Sequence, residues 1–272
     1  RPVHEVEEKR GEDTNRIREL VGSDKFLISV EIRAARTESL AEIVDGARQI
    51  AEAGVSMFDD PDNPGASVGR DAAVVASALQ NELRVPSICH MTVTQSNLLR
   101  MHSSLIGCGD LGLQGVLAIT GDPPGMGDLA HSANRVKDLR SSVELLRLIR
   151  KMRSGQSAAE QRIKSPPDLC AGCSVKNSSD AQIKWLRKKV DAGAEFIYSQ
   201  PMFTFEDYER LTEALSEFDI RLFPGLMPLA GKRNAEFLAS GRIPGIKVPQ
   251  ELVERFGQYK DRNSQRQFGM EY

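Results

Sequence analysis

Short apolar runs alternate along almost the whole chain with longer stretches in which apolar residues recur every three or four positions. A run of four to eight apolar residues fits a buried strand, and the 3.6-residue spacing fits an amphipathic helix. The pattern predicts strands at 26–32 (FLISVEI), 55–59 (VSMFD), 87–92 (SICHMT), 115–120 (GVLAIT), 168–175 (DLCAGCSV), 195–200 (EFIYSQ), 221–226 (RLFPGL) and 245–249 (GIKVP). Between and after them it predicts helices at 38–53, 70–83, 94–110, 138–153, 179–193, 205–217, 232–240 and 249–258, with Thr37 and Glu38 opening the first and Ala-Gly pairs at 53/54 and 192/193 closing two others. Strand starts recur every 25 to 32 residues or so, apart from one longer gap between the fourth and fifth strands, where an insertion sits.

Eight strand-then-helix units, with strands apolar enough to be buried on both faces, predict an α/β fold of the (β/α)8 TIM-barrel type. An open doubly wound sheet is the alternative, weakened by the lack of a GxGxxG turn after the first strand. Residues 1–25 are polar and read either as a helix outside the barrel or as a tail; the polar end, QYKDRNSQRQFGMEY, reads as an extension of the last helix. No Pro- or Ser-rich linker divides the remainder, so residues 26–272 are expected to form a single catalytic domain.

Composition adds mainly exclusions. Apolar residues are 40% and charged residues 27%, the net charge is -2, and no apolar run approaches the length of a bilayer span. Neither a nucleic-acid nor a membrane partner is expected, since both recruit clustered Lys and Arg. The four cysteines are too few for a disulfide scaffold and point to the cytoplasm; Cys170 and Cys173, spaced CxxC within one strand, read as packing, and no metal site is expected.

A barrel of this kind carries its chemistry at the carboxyl ends of the strands. There the chain offers Glu31, then Asp59, Asp60, Asp62 and Asn63, then His90 and Thr92, then Thr120, Gly121 and Asp122, then Ser199 and Gln200. Glu31 lies among apolar neighbours, which would raise its pKa and suit a proton donor; the plain alternative is a rim pair with Arg33 or Arg36. In GDPPGMGD, Asp122 is either presented to a ligand or capping its own turn, and the segment is a poor phosphate loop because no Gly-Lys-Ser/Thr follows. Gln200 could read a cyclic amide edge or satisfy loop backbone, and His90 could be a catalyst or a hydrogen-bonded core residue.

Together these segments resemble the methylenetetrahydrofolate reductase family. The resemblance is carried in order by ISVEI and RT (28–37), DNP (62–64), NLL (97–99), GVLAITGDPP (115–124), LRKKVDAGAEFIYSQPMF (186–203), FPGLMPL (223–229), RNAEFL (233–238) and GIKVP (245–249). It implies a (β/α)8 barrel that binds FAD and interconverts 5,10-methylenetetrahydrofolate and 5-methyltetrahydrofolate by hydride transfer. It further implies that Glu31 is the general acid and that Asp122 lies between flavin and pterin. Gln200, Phe203 and Lys247 would contact the folate, and Asn63, His90, Thr120, Gly121 and Lys189 the flavin, with Lys189 suited to a phosphate. The implied partners are tetrahydrofolate derivatives, NADH or NADPH, and a second copy of the chain in a homo-oligomer.

The chain also departs from the family. Ala34 and Ala35 stand where two prolines are usual, VTQSN (93–97) replaces a CRDRN-like segment, FDDPDNP (58–64) replaces an Asn with small residues, and Trp185 stands where some members have a flavin-contacting Asn. The first two changes open the alternative that electrons come from a partner protein, or that the reaction runs toward methyl oxidation. Two further alternatives are a flavin-free folate-binding or assembly subunit of a methyl-transfer complex, and a flavin-free aldolase or lyase, for which Lys247 is the candidate Schiff-base lysine.

Overall fold

Helix starts in this chain are set by side chains that accept the backbone N–H groups left unpaired in a first turn. Ser39 opens a helix by accepting from Glu42 N at 3.2 Å while the Glu42 carboxylate accepts from Ser39 N at 2.7 Å. This reciprocal box displaces the expected start at Thr37 and Glu38, and its signal, Ser-x-x-Glu, stands in the sequence two residues later. Asp71, Asn97, Thr204 and Asp261 cap four more helices in the same manner.

The computed structural model describes residues 14–131, 136, 138–241, 243 and 245–272. In chain order its elements are α1 (Arg16–Val21), β1 (Ser29–Glu31), α2 (Leu40–Glu52), β2 (Met57–Asp60), α3 (Ala72–Leu83), β3 (Ser87–Thr92), α4 (Leu98–Asp110), β4 (Gly115–Ile119), α5 (Ser142–Arg153), β5 (Cys170–Val175), α6 (Asp180–Asp191), β6 (Phe196–Pro201), α7 (Phe205–Leu215), β7 (Arg221–Gly225), α8 (Lys232–Ala239), α9 (Gln250–Phe256) and α10 (Arg262–Glu271). All neighbouring strands pair in parallel, in the order β1 to β7. The chain is a (β/α)8 TIM barrel, nearly closed, with helices alternating around the strands.

Strand alternation sorts side chains into two cores. Met57, Ile88, Leu117, Cys170, Phe196, Tyr198 and Phe223 point into the barrel, whereas Phe58, Cys89, Val116, Cys173 and Ile197 pack outward beneath the helices. Cys170 and Cys173 therefore face opposite ways as buried thiols, and burial pushes the Cys173 thiol up to about 12. Gly172 has no side chain because the Phe196 ring occupies that place: a Cβ there would lie 2.1 Å from the ring.

The eighth unit differs from expectation. Its helix, α9, forms, but residues 245–249 do not pair as a strand. Gly245 adopts φ +96, outside the extended region, and Pro249 has no N–H to donate. Ile246 and Val248 instead pack with Leu229, Leu238, Leu252 and Phe256 in a separate C-terminal core. The polar end likewise does not extend α9; Asp261 starts the new helix α10, whose Phe268 joins that same core.

The helix expected outside the barrel, α1, lies instead across the strand-start end of its interior. Ile17 is fully buried and fills the space left by Gly115, beside Ile88. Asn15 donates to the carbonyls of Gln114 and Asp168, and Arg18 binds the carboxylates of Asp168 and Glu195. The segment is polar on average, but its two buried residues, Ile17 and Val21, are one helical turn apart and face the same way. Ile17→Ala is expected to cost on the order of 3 kcal/mol and to lower Tm by roughly 5 °C in scanning calorimetry, because the rigid strand bed cannot collapse into the cavity. An unchanged Tm would mean that α1 does not dock as a plug.

Candidate active site

The carboxyl ends of β1, β2 and β3 bring three ionisable side chains together. Inward positions alternate, so Ser29 and Glu31 share a face, as do Met57 and Asp59, and Ile88 and His90. The parallel register sets Glu31 opposite Asp59. The functional atoms of Glu31, Asp59 and His90 all lie within 4.8 Å of one another.

His90 Nε2 meets Asp59 Oδ1 at 3.0 Å, and Ser29 Oγ donates to Asp59 Oδ2 at 2.6 Å. Tyr198, reaching across the barrel from β6, donates its hydroxyl to Ser29 Oγ at 2.7 Å. A carboxylate only accepts, so the hydrogen between Asp59 and His90 belongs to Nε2. Ser29 and Tyr198 were absent from the residues singled out by sequence. Their signal is the two-residue spacing from Glu31 and Gln200, which places each on the same strand face as its functional neighbour.

Glu31 is open to solvent on one side at the mouth and hemmed in by protein on the others. Desolvation raises its pKa; His90 and Arg33 pull it down and Asp59 pushes it up. The expected rim pair with Arg36 does not form, because Arg36 binds Asp128. Along β2 the acidity deepens. Asp60 is wholly buried with neither carboxylate oxygen hydrogen-bonded, and desolvation, reinforced by Asp59, Glu31, Asp62 and Asp71, raises its pKa to about 8. Asp62 accepts from Thr92 N at 3.0 Å and Thr92 Oγ1 at 2.7 Å, and its pKa is still raised by burial.

The two acids of GDPPGMGD hold a neighbouring loop rather than their own turn. Asp122 Oδ2 accepts from Gly65 N at 2.8 Å, and Asp128 Oδ2 accepts from Val68 N at 3.1 Å while pairing with Arg36. The loops after β1, β2 and β4 are thereby clasped side by side. Gly121, at φ +84, lies so close to Thr92 and Thr94 that a Cβ would come within 2.6 Å of Thr94 Oγ1. Asn63, in the left-handed region, donates to Asp62 and Gln95 and accepts from Gly69 N.

The remaining expected site residues are spread more widely. Thr120 is exposed just beyond β4, and half-buried Gln200 lies near the end of β6 with its side chain against Gly245. Phe203 is buried in the C-terminal core, and its carbonyl accepts from the Tyr272 hydroxyl. Lys247 is exposed between buried Ile246 and Val248. Lys189 is buried on α6, and its Nζ donates to the Ser174 carbonyl at 2.5 Å. Trp185, on the same helix, is partly exposed and stacks with Lys188.

A family model described as methylenetetrahydrofolate reductase matches residues 16–272. Methylenetetrahydrofolate reductase (NADH) 1 of Arabidopsis thaliana is 24% identical over 258 residues, covering 91% of this chain and 42% of the plant protein. Methylenetetrahydrofolate reductase 1 of Schizosaccharomyces pombe is 24% identical over 189 residues, covering 69% of this chain and 30% of the yeast protein. The chain thus spans less than half the length of these curated relatives. Among solved structures, a Clostridium thermocellum protein described as binding two copies of 5-methyl-5,6,7,8-tetrahydrofolic acid shares the fold, with a TM-score of 0.57 at 12% identity, over 90% of this chain and 80% of that one.

Proposed function

Because the chain belongs to the methylenetetrahydrofolate reductase family, we propose that it is an FAD-dependent oxidoreductase interconverting 5,10-methylenetetrahydrofolate and 5-methyltetrahydrofolate, with Glu31 as general acid. The observation that carries this reading is the raised Glu31 carboxyl beside Asp59 and His90 at the mouth of a barrel of this family. A donor there can protonate the folate nitrogen and open the methylene bridge, which leaves an electrophilic carbon.

The residues at the mouth fit the ring end of the flavin. His90 Nδ1 and the Gln200 amide make no hydrogen bond to protein among the described residues, and Thr120 and Gly121 follow β4, the strand that pairs with the His90 strand. Asp122 and Asn63 belong to the clasped loops that follow β4 and β2. The phosphate end fits less well, since Lys189 is engaged by Ser174 and a phosphate would have to take over that bond. When bound, FAD supplies the hydride-transfer chemistry. Glu31 holds and releases the proton, Gln200 orients the pterin, and Asp122 lends negative charge beside it; Phe203 and Lys247 are assigned to the folate tail. The barrel, with α1 docked in its strand-start end, acts as the catalytic domain, and its buried thiols suit the cytoplasm. Among the described residues no helix is long and apolar enough to cross a membrane.

The Lys189 bond favours one rival, a flavin-free folate-binding subunit, so the test must separate the two. Purified protein supplied with FAD is expected to retain it through gel filtration, with both flavin absorbance bands. Reduced anaerobically, it is expected to be reoxidised by methylenetetrahydrofolate. NADH, NADPH and methyltetrahydrofolate, offered separately as reductants, identify the donor and direction. Folate binding without retained flavin would favour the rival.

A further inference from the structure

Among the buried groups that this mechanism leaves without a task is Asp59, an ionisable side chain in the middle of the site with both carboxylate oxygens engaged. We propose that Asp59 is a positioning residue for proton donation by Glu31: anchored through Ser29 to Tyr198, it fixes the His90 ring and keeps a negative charge against the Glu31 carboxyl. The inference rests on the reading of Glu31 as the acid.

The geometry has a direction. Tyr198 donates to Ser29, and Ser29 to Asp59, so each hydroxyl has its hydrogen committed and Asp59 is held from a strand on the far side of the barrel. Burial and the Asp59 charge keep the Tyr198 phenol protonated, as a donor must be. The remaining Asp59 oxygen fixes which His90 nitrogen carries hydrogen and leaves Nδ1 turned away from it, while the ring cannot rotate without breaking a buried bond. For Glu31 the consequence is electrostatic: two carboxylates at this spacing resist ionising together, so Asp59, whose carboxylate is held by two hydrogen bonds, adds to desolvation in pushing the Glu31 pKa up. The charged or titratable groups facing this pair are His90 from β3, Tyr198 from β6, Asp60 and Asp62 from β2 and its loop, and Arg33 beyond β1.

The test is a titration of the Glu31 carboxyl by carbon-13 NMR in protein labelled at the glutamate side-chain carboxyls, with the resonance assigned from Glu31→Gln. In Asp59→Asn the Glu31 midpoint is expected to fall by about one pH unit; in Asp59→Glu, which keeps the charge, it is expected to return toward the starting value. The His90 nitrogen-15 shifts are expected to show a tautomer mixture in Asp59→Asn and a single form in the unaltered protein. In His90→Gln, where Asp59 keeps its charge, the midpoint is expected not to fall. An unmoved midpoint in Asp59→Asn, or a fall in His90→Gln, overturns the proposal, and the second variant decides if the first does not fold. These readouts need neither flavin nor folate, so failure of the unaltered protein to turn over folate would count against the function alone. With turnover, the alkaline limb of folate-dependent reoxidation in Asp59→Asn is expected to shift to lower pH by the same amount; a fall in rate with no shift marks a purely structural role.

Discussion

Glu31→Gln is expected to slow reoxidation of the reduced enzyme by methylenetetrahydrofolate by about 10²- to 10⁴-fold while leaving its reduction by the donor within about twofold. Glutamine preserves the shape and one acceptor of the side chain but has no proton to give the folate nitrogen, so the half-reaction that needs an acid is the one that fails. Anaerobic stopped-flow, with the two half-reactions recorded separately, makes the distinction. Equal loss in both would mean that Glu31 is there to hold the strand end together. The pH dependence has a fixed sign as well. The acid works in its protonated form, and desolvation and Asp59 hold its pKa above the ordinary glutamate value. The folate half-reaction is therefore expected to hold its rate at low pH and to lose it as pH rises through that elevated pKa; the Gln variant is expected to lack this limb.

Asp60→Asn is expected to stabilise the protein, by on the order of 5 kcal/mol at pH 8 and above and by almost nothing below pH 4. The ordinary aspartate value of 3.8 applies in the unfolded chain, whereas burial against Asp59, Glu31, Asp62 and Asp71 raises it to about 8 in the fold. Below 3.8 the group is protonated in both states and contributes no penalty. Between the two values the unfolded chain gives up its proton and the folded one keeps it, so stability falls steadily with pH; above about 8 the loss is complete. Asparagine resembles the protonated acid in shape and removes the titration. Neither carboxylate oxygen has a hydrogen bond to lose. Thermal melts at pH 4 and pH 8 test this: the variant and the unaltered chain are expected to coincide at the lower pH and to differ by roughly 10 °C at the higher one. Parallel curves at both would mean that Asp60 reaches water or an unseen partner. An acid that destabilises its own fold sits one residue from the proposed positioning carboxylate, which is the pattern expected when a site concentrates charge at a cost to stability.

Much of this was legible in the chain because it depends on short-range patterns. Runs such as SICHMT and GVLAI become strands since they are apolar over the right length, and LRKKVDAGA becomes a helix and its end because of apolar periodicity followed by Ala-Gly. Seven of the eight expected strands form for that reason. The placement of Glu31, His90, Asp122 and Gln200 at strand ends followed from the same pattern, because a parallel barrel gathers its strand ends at one mouth.

What lay beyond reach were the partners. Alternation tells which face Asp59 takes, but its bonds to Ser29 and His90 depend on the stagger of β1, β2 and β3, and the Tyr198 bond to Ser29 depends on the barrel's width. By sequence Asp122 serves either a ligand or its own turn, and only the adjacency of two loops, a residue separation of 57, gives it Gly65. The lost eighth strand and the docked α1 have the same origin: Ile246, Val248 and Ile17 found larger apolar surfaces elsewhere than their local patterns foretold. Composition and periodicity therefore determined the elements, their order and the mouth at which polar residues collect. The tertiary structure decided which charges meet there, because electrostatic and hydrogen-bond partners are set by distances between strands and loops that no local pattern encodes.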